Sequence, residues 1–144
     1  MAAGIALFPS WTGDQLIGHP DIDVWNHAWG LWWWAHSFSQ GILPFSTPLI
    51  SAPSGGTLWF VDPIGALSML PITLAAGPAL AWNVLIASRL AWAGFHARRL
   101  AREWSADGVH TYAAGIAFAG SPFLWAEIYN GIAEVCAVGW IPFA

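Results

Sequence analysis

Charge is what this sequence has least of. Asp, Glu, Lys and Arg make up 8% of its 144 residues, where a soluble domain carries about 25%. So few charges cannot cover a globular surface, and the composition leads to the expectation of an integral membrane protein. Basic residues are scarcer still. The formal net charge is −4, and no basic run is long enough to follow a phosphate backbone, which points away from nucleic acid as a partner. Cys136 is the only cysteine, so an internal disulfide is excluded and nothing is learned about redox compartment. Internal repeats, heptads and low-complexity tracts are also lacking. What is abundant is apolar and aromatic. Apolar residues reach 57%, and there are 12 tryptophans, with a mean hydropathy of +0.55. Indole rings collect at bilayer interfaces, where one end of the side chain is dry and the other wet.

Both ends look cut. Ala2 to Phe8 is apolar but too short to span a bilayer, and it lacks the basic flank of a signal peptide. It reads as the last turns of a helix that begins upstream. Val135 to Ala144 opens an apolar run that stops. The expected object is a piece of a larger polytopic protein, its residues 131–144 beginning a further helix.

The most informative stretch runs from Gly18 to Thr57. Asp21 and Asp23 stand directly before a segment crowded with tryptophan, and Asp23 is a good N-cap for a helix over 24–39. Trp25, Trp29, Trp32, Trp33 and His36 fall on one face of it, while Leu31, Trp34 and Phe38 lie opposite. Apolar nearly all round yet too short to cross, this segment (23–39) reads as a helix lying in the interface. Residues 40–63 form an irregular external loop with Pro44, Pro48 and Pro53 and the turn signal PSGG. Pro71 and Gly77-Pro78 divide the next apolar run into a short helix, 64–76, and a span, 79–101, about 34 Å long at 1.5 Å per residue. Arg98, Arg99 and Arg102 close that span, and by the positive-inside rule they lie in the cytoplasm. A second span, 109–126, then runs outward. On this reading the Asp21–Asp23 loop, Asp62, Glu127 and Glu134 all face the outside of the cell (inner) membrane. The expected fold is therefore all-α: a multi-pass helical membrane protein fragment with a Trp-rich interfacial helix in an external loop.

These residues also carry a resemblance. An acid is followed by W-x-x-x-W-x-x-H, G-x-x-P-F-x-T, a P-x-G loop, a Pro-broken apolar helix and G-P-x-x-x-[aromatic]-N. Here they are Asp23, Trp29, Trp33, His36, Gly41, Pro44, Phe45, Thr47, Pro53, Gly55, Gly77, Pro78, Trp82 and Asn83. The pattern continues through Ser121-Pro122-Phe123 to Trp140-Ile141-Pro142. It resembles the amino-terminal part of GT-C-type polytopic membrane glycosyltransferases, in particular their bacterial relatives. The resemblance covers nearly the whole chain, although no single element of it is diagnostic. It implies a fold of membrane helices and an acidic residue in the first external loop. It also implies transfer of a sugar from a polyprenyl-phosphate donor to an acceptor on the outer face of the membrane. Asp23 matches that acid by position, with Asp21 its neighbour. A full first helix and the further helices that complete a sugar pocket are not in this chain, so the fragment alone is expected to be inactive.

The residues admit bland readings beside the chemical one. Asp23 and Asp21 have the chemistry of a general base and its helper, the base taking the acceptor hydroxyl proton. Together they are also candidates to bind a divalent metal ion that neutralises the leaving phosphate. Spacing alone makes Asp23 a helix cap and Asp21 a solvated turn residue, and Asp62 before Pro63 reads as a cap. His36, Glu127, Glu134 and Arg89 are the candidate substrate-binding residues. Glu127, Asn130 and Glu134 lie near one helical face, directed either at an outer cavity or at water. Arg89 falls inside the first span, where a charge costs about 2.5–3.5 kcal/mol unless a partner acid or water path offsets it. A span over 64–88 would instead put Arg89 at its cytoplasmic end. Pro53 to Thr57 offers backbone N–H groups to a lipid phosphate but lacks the lysine and spacing of a P-loop, and reads as a turn. His19, His27 and His36 around WGLWWW suggest a haem-handling surface as a lesser alternative. Ala35 stands where another tryptophan is wanted. A non-catalytic membrane protein is the remaining alternative.

Overall fold

The computed structural model describes residues 15–19, 21–58, 62–104 and 108–142. Helix α1 spans Val24–Ser39 and is stopped by Gln40 and by Gly41, whose φ of 70° suits glycine. A two-stranded antiparallel hairpin follows, β1 Ser46–Thr47 with β2 Gly56–Thr57. Helix α2, Pro63–Ala76, starts on Asp62 and ends at Gly77, φ 87°. Helix α3, Pro78–Trp104, is the longest at 27 residues. Helices α4, Val109–Ala119, and α5, Pro122–Tyr129, precede a 3-10 helix over Ala133–Trp140.

One core joins α1, α2, α3 and α5. Val24, Leu31 and Trp34 of α1 meet Ala66 of α2, Ala81, Trp82, Ile86 and Leu90 of α3, and Leu124 and Ile128 of α5. The spacing of Trp82, Ile86 and Leu90 by four places them on one stripe of α3. On its other side α3 packs against α4 through Gly94 and Gly115. A Cβ on Gly115 would stand 2.5 Å from the Gly94 carbonyl oxygen, so the two backbones touch where a side chain would hold them apart. Arg98 lies over the Tyr112 ring at 3.8 Å from its centroid, a cation–π contact across the same pair.

The multi-pass membrane fold expected from composition is overturned by helix lengths and polarity. No helix among the described residues is long and apolar enough to cross a membrane. Helix α3 has the length, but Asn83, Ser88, Arg89, His96 and then Arg98, Arg99 and Arg102 interrupt its apolar character. The expected second span, 109–126, breaks at Gly120: Ser121 takes the N–H of Leu124 and begins a separate helix, leaving pieces of 11 and 8 residues. Helices α1 and α2, at 16 and 14 residues, reach about 24 and 21 Å, short of the about 30 Å hydrocarbon core. In the terminal stretch, the described run 133–140 is 3-10 rather than α. Among the described residues the positive-inside rule has no span to orient, so the inside and outside assignments rest on composition alone. The apolar residues are spread over four shorter helices and a long one broken by polar side chains.

Candidate functional site

The two candidate acids are carried on a segment pinned from both sides. Ile17 N–H donates to Asn83 Oδ1 at 2.9 Å, and Trp82 Nε1 donates to the Ile17 carbonyl at 2.8 Å. Asn83 Nδ2 donates to the Gln15 carbonyl at 2.7 Å. The chain before Asp21 is thus fixed to the start of α3 by side chains that are almost wholly buried. From the other side, His19 N–H donates to the Tyr129 carbonyl at 2.9 Å, and the two rings meet edge to face at 5.1 Å. Gly131, φ 77°, lets the end of α5 come against α1; a Cβ there would stand 2.6 Å from the Val24 nitrogen.

Within this frame Asp21 and Asp23 are exposed. Asp21 N–H donates to His19 Nδ1 at 3.3 Å, and the Asp21 carboxylate lies 3.8 Å from the same nitrogen. Asp23 occupies the N-cap position of α1 but its side chain makes no cap hydrogen bond. Its φ and ψ, −59° and −10°, are helical, whereas a capping side chain needs an extended backbone to reach back over the first turn. Its Oδ1 accepts from Asn26 Nδ2 at 3.2 Å. One turn on, His27 stacks on Trp82 at 5.2 Å and 17°, and its Nε2 lies 3.9 Å from Glu134 Oε2. Glu134 therefore reaches this end of α1 through His27. Glu127 is on α5 and Glu134 on the 3-10 helix, so they do not share a helical face.

Two candidates lie elsewhere. His36 is stacked on Trp32 at 5.1 Å, thirteen residues from Asp23 and so about 20 Å along α1. His27 and His36 are about 13 Å apart along the helix on the same count. Arg89 pairs with Asp62 across two helices, Nη2 donating to Oδ2. Asp62 at the same time accepts Gly65 N–H on Oδ1 at 2.9 Å, so it is both cap and counter-ion. A Cβ on Gly65 would collide with that carboxylate. The pair borders an open groove of about 290 Å³ between α2, α3 and the 3-10 helix, walled by Trp92 and Trp140. Sequence reasoning asked for an acid beside Arg89 but did not name Asp62, and it missed the His27–Glu134 contact and the Trp92–Trp140 wall. A lone arginine in an apolar run was the available signal.

Among the described residues no three His, Cys, Asp or Glu side chains come together as a metal site. The PSGG turn forms an open concavity of about 360 Å³ with Ser46 and Thr47, beside which Thr47 Oγ1 accepts Leu49 N–H at 3.2 Å. Compared with known proteins, the chain matches no family model, no curated protein and no solved structure.

Proposed function

We propose that this chain carries the acid of a glycosyl-transfer site working at a lipid–water boundary, with a polyprenyl-phosphate sugar as donor. Asp23 is the general base that takes the acceptor hydroxyl proton as the new glycosidic bond forms, and Asp21 is its helper. The observation that supports this is the state of Asp23. It sits where an aspartate ordinarily caps, yet its carboxylate makes no cap bond and faces solvent. A carboxylate engaged by backbone N–H groups is a poor base, because those bonds favour its charged form. Asp23 is not so engaged. The neighbouring His27–Glu134 contact adds polar groups to the same end of α1. The lipid side of the reading comes from the tryptophans and from the absence of any charge between Asp23 and Asp62.

The test is transfer of labelled sugar from a polyprenyl-phosphate donor, in membranes holding the protein with all that its gene encodes. Asp23→Asn is expected to lower transfer at least about 100-fold, the lower end of a general-base contribution, with accumulation and unfolding unchanged. Asp21→Asn is expected to do less. Full activity in Asp23→Asn would falsify the assignment.

A further inference from the structure

The groove beside Arg89 takes no part in the chemistry above, and three of its features define what it can hold. First, it offers aromatic surface. Trp92 is 40% and Trp140 56% exposed, and their rings meet at 5.4 Å and 53°, opening as a V. Second, it offers acceptors. Ser68 Oγ donates to the Gly65 carbonyl at 2.9 Å and Ser88 Oγ to the Leu85 carbonyl at 2.8 Å, so each hydroxyl turns its hydrogen into the helix and keeps lone pairs for a ligand. Third, its cation is already compensated, because Arg89 is paired with Asp62.

These features discriminate among ligand classes. A free phosphate or carboxylate gains little from an arginine whose charge a carboxylate already balances. A bare alkyl chain would cover the serine oxygens and the guanidinium without replacing their water. A ring with an apolar C–H face and a rim of hydroxyls meets every requirement. The volume of about 290 Å³ lies at the foot of the small-molecule range of about 300–1,000 Å³, enough for one sugar ring.

We propose that the groove between α2, α3 and the 3-10 helix binds a single sugar ring, stacked against Trp92 and Trp140 with its hydroxyls on Ser68, Ser88 and Arg89. The 3-10 helix links this groove to the acid-bearing end of α1. Its Glu134 faces His27 and its Trp140 touches Trp92, about 12 Å apart at 2.0 Å per residue. That the bound ring is the sugar handed over or received rests on the transfer reading; that the groove takes a sugar rests on the groove alone.

The experiment uses the purified full chain in a detergent without a sugar headgroup. The probes are the methyl glycosides of glucose, galactose, mannose and N-acetylglucosamine, followed by saturation-transfer NMR and equilibrium dialysis. At least one glycoside is expected to bind with a millimolar Kd, and neither inorganic phosphate nor octanol to displace it. Trp140→Leu keeps apolar bulk but removes the plane, and Ser88→Val removes an acceptor from an exposed position. Each is expected to weaken binding at least about tenfold. No saturation by any of the four below about 50 mM, displacement by phosphate, or unchanged binding in either variant would overturn the proposal. Asp23→Asn separates the two readings: glycoside binding that persists while transfer is lost supports both. Transfer that persists in Asp23→Asn sinks the base and not the groove, and Asp23-dependent transfer without glycoside binding sinks the groove and not the base.

Discussion

Asp23 and Asp62 stand in the same place, one residue before a helix, and do opposite things there. Asp62 has an extended backbone, φ −70° and ψ 102°, so its carboxylate swings over the first turn and takes the Gly65 N–H. Asp23 is already helical, and its carboxylate takes the Asn26 side-chain N–H instead of a backbone one. Backbone conformation, not residue type, decides which aspartate is structural, and that is why spacing alone makes Asp23 a cap when its side chain forms no cap bond. His96 shows a second residue-scale effect. It is 1% exposed in α3, with the Trp92 ring 4.2 Å and the Phe95 ring 5.1 Å from its own. Burial, and then the charge of Arg99, hold its pKa below the ordinary value of about 6.5. The unfolded chain therefore binds the proton more readily than the folded one. The stability that depends on neutral His96 is present above about pH 6.5 and is lost as pH falls through that value toward the lower folded one. The unfolding midpoint is expected to drop between about pH 7 and 5, less steeply in His96→Gln. Equal slopes in the two proteins would place the pH dependence on other groups.

At the scale of elements, the contact of α3 with α4 makes the sharpest demand on sequence. Alanine in place of a mid-helix glycine ordinarily stabilises by about 1 kcal/mol. At Gly115 the added Cβ meets a backbone carbonyl at 2.5 Å and Arg98 Cβ at 3.2 Å, and no rotamer change relieves a backbone clash. Overpacking of that kind costs about 1–3 kcal/mol, so Gly115→Ala is expected to lower the unfolding midpoint. Gly94→Ala, whose nearest atoms are 3.1 and 3.2 Å away, should change it little. A raised midpoint in Gly115→Ala would mean that the helices do not touch there. The elements themselves were readable where turn chemistry punctuates them. Gly41 follows the end of α1, Gly77-Pro78 separates α2 from α3, and Ser121-Pro122 starts α5. The Ser121-Pro122 start is the exception: the expected span 109–126 runs through it, because apolarity on both sides hides a helix start. The two faces of α1 were visible in the periodicity, but not which of them is covered. The Leu31 and Trp34 face is buried, Trp25, Trp32 and His36 are exposed, and Trp33 is buried by donating to the Pro44 carbonyl at 3.1 Å. Partners far along the chain decide such questions, as with Asp62 and Arg89, 27 residues apart. Periodicity carries no information about them.

For the whole molecule, a low charge content and the lack of any spanning helix among the described residues have to be reconciled. The reconciliation is in the surface. Leu43, Ile64, Ile116 and Val109 are each more than 70% exposed, and Trp32, Phe38, Ile42, Leu43, Phe45 and Leu49, all exposed, follow one another along the end of α1 and its loop. No Asp, Glu, Lys or Arg interrupts that stretch. Tryptophan and leucine at such a surface suit the headgroup–acyl boundary of a bilayer, which needs no crossing helix. A seat of this kind behaves unlike an electrostatic one. Basic residues draw proteins to anionic lipid at about 1 kcal/mol each, and salt removes the attraction within a Debye length. Here the stretch of chain that bears the aromatics has no Asp, Glu, Lys or Arg, and the chain as a whole is acidic. The chain is therefore expected to float with vesicles of neutral lipid as well as with vesicles containing anionic lipid, and equally in low and high salt. Trp32→Ser together with Leu43→Ser should weaken that association at least about tenfold, since burying each side chain contributes about 1.5–3 kcal/mol. Flotation confined to anionic vesicles, or lost in high salt, would show that charge and not the aromatic surface holds the chain to lipid.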